Sequence, residues 1–100
     1  MADTPERKVK KKVTNILKTA GAYYTMPVTS GFGNSGAPDI LVCYQGVFFG
    51  IECKANGGKP TKLQLSNLAQ IKQAGGVALL IDETNIELLN QYLQSRSSNV

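Results

Sequence analysis

The stretch Pro38-Asp39-Ile40-Leu41-Val42-Cys43-Tyr44-Gln45-Gly46-Val47-Phe48-Phe49-Gly50-Ile51-Glu52-Cys53-Lys54 decides how this chain folds. Two short apolar runs, Ile40 to Tyr44 and Val47 to Ile51, flank Gln45-Gly46, which predicts a hairpin with a two-residue turn. Their near-continuous apolar character predicts strands buried on both faces. With Gln45 and Gly46 as the whole turn, positions whose numbers sum to 91 face one another, and Asp39 stands opposite Glu52. Cross-strand partners have Cβ atoms about 5 Å apart, and like charges placed so destabilise the pair unless something neutralises them. A divalent cation does so. Lys54 follows Glu52 by two residues and projects from the same face, while Cys53 points the other way.

Two carboxylates and the backbone carbonyl of Cys53 are oxygen ligands, which suit Mg²⁺ or Mn²⁺ better than zinc. Such a cation activates water and stabilises charge on a phosphate oxygen, with Lys54 orienting or deprotonating the water or contacting the same phosphate. That set predicts phosphodiester hydrolysis. The bland alternative makes Glu52 and Lys54 a surface pair at a strand end, with Asp39 merely following Pro38. It leaves three charged groups at the end of two apolar strands without a reason, which buried strands avoid.

Outward from the hairpin, Thr4 and Pro5 suit the N-cap and first residue of a helix. Val9, Val13, Ile16, Leu17 and Ala20 recur at helical spacing, so a helix is predicted over 5–20, stopped by Gly21. Residues 22–28 suit a strand with Pro27 near its end, and 29–36 an uncharged loop. Beyond the hairpin, a loop over 55–60 leads to a helix over 61–74 with Thr61 and Gln64 at capping-box spacing, ended by Gly75-Gly76. Val77 to Ile81 reads as a buried strand. Thr84 and Glu87 repeat the capping-box spacing before a last helix through Leu88, Leu89, Tyr92 and Leu93. The expected fold is α/β, a mixed sheet flanked by helices, as one domain over 1–95 with a polar tail at 96–100.

Composition narrows the chemistry. The chain has no histidine, which excludes Ser-His and Cys-His nucleophilic pairs and His-ligated zinc. Net charge is +4, and Arg7, Lys8, Lys10, Lys11, Lys12 and Lys18 crowd the first helix, which suits an anionic partner such as nucleic acid but equally a solvated face. No apolar run approaches the roughly 20 residues of a membrane span, and two cysteines without an export signal point to a reducing cytoplasm, bacterial or that of a phage's host. Cys43 and Cys53 face opposite sides of the hairpin, which argues against a disulfide, and both read as packing residues.

Two further residues have two readings each. Glu6 falls within the apolar stripe of the first helix, so it either reaches the metal site, directly or through a water, or complements the helix dipole. Gln64 lies between Leu68 and Ile71 on its wheel, so it either approaches the substrate phosphate or completes the capping box with Thr61. Lys59 and Lys62 flank that helix start as candidate phosphate contacts.

Glu6 early in the first helix, Gly36-Ala37-Pro38-Asp39 before a strand, Glu52-Cys53-Lys54 ending the next and Gln64 in the following helix together resemble the PD-(D/E)xK nuclease superfamily, and within it the VRR-NUC (virus-type replication-repair nuclease) family. The resemblance covers roughly residues 6–82. It implies a restriction-endonuclease-like α-β-β-β-α-β core, a catalytic set of Glu6, Asp39, Glu52, Lys54 and Gln64, and dependence on Mg²⁺ or Mn²⁺. It also implies activity on branched DNA, flaps or four-way junctions, by a homodimer of the stand-alone phage or bacterial type. The uncharged loop 29–36 departs from the basic loop of a strong DNA binder. The competing readings are a non-catalytic DNA-binding or partner-recruiting module on the same fold, and an interaction domain with no nucleic-acid role.

Overall fold

The structure is a computed structural model that describes residues 3–28 and 36–98, without the side chains of 97 and 98. Its elements are α1 (Pro5–Ala20), β1 (Tyr23–Thr25), β2 (Ile40–Tyr44), β3 (Val47–Cys53), α2 (Lys62–Gln73), β4 (Val77–Ile81) and α3 (Glu87–Ser98). They form a mixed sheet in the order β1-β2-β3-β4, antiparallel except for the parallel pair β3 and β4. The expected mixed sheet with flanking helices is what the chain adopts. No helix among the described residues is long and apolar enough to cross a membrane.

Alternation along the strands divides the sheet into two faces. Ile40, Val42, Tyr44, Phe49, Ile51, Cys53, Leu79 and Ile81 point to one face and pack with Val9, Val13 and Leu17 of α1 and Leu89 and Leu93 of α3. Phe49 also meets Tyr92 edge-on at 6.5 Å, tying α3 to the central strand. On the opposite face α2 lies over β3 and β4. Glycines permit this approach: a Cβ on Gly50 would collide with Ile71 Cδ1 and stand 3.1 Å from Pro38 Cγ, and one on Gly36 would stand 2.5 Å from Leu63 Cγ. The residues before Asp39 are thus wedged between β3 and the first turn of α2.

Several local expectations needed correction. The strand read over 22–28 is only three residues long, because Pro27 has no N–H for the ladder; loop residues 29–35 lie outside the described residues. Burial on both faces holds for β3 over Phe49–Cys53 but not towards the hairpin turn or across β2: α2 packs on β3 and β4, and Tyr23, Cys43 and Phe48 form an exposed cross-strand row. Cys43 is therefore no packing residue, whereas Cys53 is. β3 runs on to Cys53 because Glu52 and Cys53 pair with Leu80 and Ile81 of β4. Thr84 caps nothing: its backbone N–H and hydroxyl both donate to Asp82 Oδ1, at 2.8 and 2.6 Å, and the chain turns before α3 begins. Helix α3 then continues through Ser98, three residues into the stretch read as a tail.

Candidate active site

The turn sets the geometry. Gln45 and Gly46 both have positive φ, 52° and 76°, the backbone of a two-residue hairpin whose twist matches its strands. Pairing follows: Tyr44 with Val47, Val42 with Phe49 and Ile40 with Ile51, the register in which numbers sum to 91. Asp39 stands one step beyond the last of these pairs, beside Glu52. Asp39 Oδ2 accepts a hydrogen bond from the Cys53 N–H at 2.9 Å, which locks its carboxylate against the end of β3.

Glu52 is the chain's anomaly. It is 1% exposed, the one buried charged side chain among the described residues, and neither carboxyl oxygen has a hydrogen-bond partner. Buried carboxylates are normally paired or hydrogen-bonded, because an isolated one costs several kcal/mol. Burial first, and then the adjacent Asp39 carboxyl, push its pKa up to about 8, with Lys54 pulling the other way. The Cys53 thiol is pushed up to about 12, chiefly by burial and then by Asp39, so it is inert as a nucleophile. The orphaned oxygens of Glu52 beside Asp39 form a donor set that a hard divalent cation fits, since it would satisfy both carboxyls at once.

Glu6 approaches this pair without joining it. Its carboxylate is 3.6 Å from Lys10 Nζ, and the same ammonium is 3.6 Å from Asp39 Oδ1. No three Asp, Glu, Cys or His side chains among the described residues converge on one point, so Glu6 is not in place as a direct third ligand. Lys10 is the member that sequence reasoning missed. Its signal was its position four residues after Glu6, on the inward edge of a helix whose other lysines face water.

Gln64 carries out the alternative role foreseen for it. Its side-chain oxygen accepts from the Thr61 N–H at 2.9 Å, and its own N–H donates to Thr61 Oγ1 at 3.1 Å, a complete capping box. Lys54 is half-buried, and its N–H extends the ladder to Ile81 O. Lys59 and Lys62 are exposed at the start of α2. The structure thus brings together Asp39, Glu52 and Lys54, adds Lys10 with Glu6 behind it, and engages Gln64 elsewhere.

A solved structure described as a VRR_NUC domain superposes on this chain with a TM-score of 0.71 and 22% identity, covering 92% of this chain and 97% of that one. The chain has the fold of a VRR_NUC domain. No protein-family model and no curated protein matches the sequence.

Proposed function

We propose that this chain is a Mg²⁺- or Mn²⁺-dependent deoxyribonuclease that cuts phosphodiester bonds in branched DNA. The observation that carries the reading is the buried Glu52 carboxyl, whose oxygens accept from no donor, set beside Asp39. Asp39, Glu52 and the Cys53 backbone carbonyl would hold the cation, with Glu6 reaching it through water. When bound, the cation supplies Lewis-acid polarisation of the attacking water and of the phosphate oxygens.

The chain's own groups do the rest. Asp39 is fixed by the Cys53 N–H, so its free lone pairs keep a set direction. The burial of Glu52 lowers the local dielectric and so strengthens charge interactions at its carboxyl. Lys54, on the same side of β3 as Glu52, orients the attacking water through its ammonium hydrogens. Lys59 and Lys62 contact flanking phosphates. A homodimer acting in the cytoplasm would present two such sites to the two strands of a junction.

The deciding experiment incubates labelled four-way, flap and linear DNA with the protein in Mg²⁺, Mn²⁺ or EDTA. Expected are metal-dependent cuts in the branched substrates and their loss in Asp39→Ala. Absence of metal-dependent cleavage on every substrate, or full activity in Asp39→Ala, would refute the reading. Salt-sensitive DNA binding without any cleavage would instead support a non-catalytic binding module.

A further inference from the structure

Beside the carboxylate pair, and outside it, α1 and the end of β1 enclose a cleft of roughly 170 Å³ lined by Arg7, Lys10, Lys11, Thr14 and Met26. Arg7, Lys11 and Thr14 recur at helical spacing, so one stripe of α1 presents two cations and a hydroxyl to the same space. Lys10 closes the inner end and is 3.6 Å from Asp39 Oδ1. The lining holds no acidic residue, yet an acid has come to it from outside: Asp3 Oδ2 accepts from Lys11 Nζ at 2.6 Å. The Asp3 carboxyl is held below its ordinary value, chiefly by that hydrogen bond and also by the charges of Lys11, Arg7 and Lys8.

A tetrahedral anion suits such a seat. Arg7 offers a planar fork of N–H donors, Lys10 and Lys11 offer point charges, and Met26 offers an apolar wall for a sugar or base edge. Resting on the nuclease reading above, we propose that this cleft seats a backbone phosphate of the nucleic-acid strand being cut, next to the scissile one, and that Asp3 holds Lys11 until the phosphate arrives. Lys10 makes the connection, because it belongs both to the cleft and to the surroundings of Asp39. Lys11 is largely exposed, so its pair with Asp3 is weakly held and readily exchanged for a phosphate.

The test measures anisotropy of labelled duplex and four-way DNA in EDTA, where metal-dependent cutting is absent, over a range of salt. Wild type is compared with Arg7→Gln, Lys11→Gln and Asp3→Asn, and with two charge-matched controls far from the cleft, Lys72→Gln on α2 and Glu87→Gln on α3. Arg7→Gln and Lys11→Gln are expected to weaken binding several-fold and to reduce the salt slope by about one each, as the loss of a phosphate contact does. Asp3→Asn is expected to tighten binding several-fold while both controls stay within about twofold of wild type. Equal effects of Lys72→Gln and Lys11→Gln, or of Glu87→Gln and Asp3→Asn, would show that net charge alone is read and would overturn the proposal. A wild type that cuts DNA while Lys11→Gln binds normally overturns the cleft alone, whereas a wild type that neither binds nor cuts DNA overturns the nuclease reading with it.

Discussion

Replacing Glu52 with Gln asks whether this carboxyl serves a cation or the fold. It is 1% exposed, its oxygens accept from no donor, and its pKa is pushed from 4.5 up to about 8 by burial and then by Asp39. Between those two values the folded chain holds a proton that the unfolded chain has released. Stability is therefore complete below pH 4.5 and falls as pH rises towards 8. At 1.36 kcal/mol per unit, the wild type at pH 7 gives up about 3 kcal/mol relative to a side chain that cannot ionise, and about 5 kcal/mol above pH 8. Gln has the same shape and no charge, but its buried amide hydrogens cost about 1 to 2 kcal/mol where they lack partners. In EDTA at pH 7, Glu52→Gln should thus be the more stable protein by about 1 to 2 kcal/mol, a Tm rise of roughly 5 to 10 °C for a domain of this size. Urea or thermal unfolding of both proteins from pH 4.5 to 9 gives the answer. The gap should grow with pH and level off above 8, and saturating Mn²⁺ should close it by stabilising the wild type alone. A gap that does not change with pH, or a Glu52→Gln protein less stable than metal-free wild type at pH 8, would refute the reasoning.

The hairpin turn, the α2 cap and the α2–β3 contact each give a further expectation. Gln45 adopts φ 52°, a left-handed conformation that a long side chain tolerates poorly and Asn tolerates well, so Gln45→Asn should raise stability by up to about 1 kcal/mol in urea unfolding. Thr61→Ala and Gln64→Ala should each lose about 0.5 to 1 kcal/mol and share that loss in the double variant, with the single-turnover cleavage rate unchanged; a rate loss specific to Gln64→Ala would return it to the catalytic set. Gly50→Ala drives a methyl into Ile71 and Pro38 and should cost about 1 to 3 kcal/mol by chemical denaturation, with cleavage reduced because Asp39 follows Pro38 directly.

What was legible in the sequence and what was not divides along a physical line. The register was legible because it depends on local quantities: a two-residue turn, the period of two along a strand, and the cost of leaving like charges together. Helix α1 was legible for the same reason, since Thr4 Oγ1 accepts from the Arg7 N–H and Gly21 takes the left-handed cap at φ 78°. The misreadings concern competition or coverage. Thr84 had two partners within reach and the Asp82 carboxylate won, which the Thr-x-x-Glu spacing cannot foretell. The exposure of Cys43 depends on how far α2 extends over the sheet, a tertiary fact.

Lys10 shows the same limit inside the site itself. On the sequence it is one of several cations on a basic helix, and only the tertiary packing of α1 sets its ammonium 3.6 Å from Asp39 as well as from Glu6 one turn away. Its place divides the carboxylate pair: Lys10 partners the more accessible Asp39, while burial and Asp39 push the pKa of Glu52 up to about 8. On the proposed function, Glu52 and Asp39 would hold a divalent ion in place of the Glu52 proton and at the expense of the Lys10 contact. Lys10 is the cation that such an exchange would free, and it already lines the cleft where a neighbouring phosphate is proposed to sit. Metal and substrate would therefore favour one another through a single side chain, the metal releasing Lys10 and the phosphate receiving it.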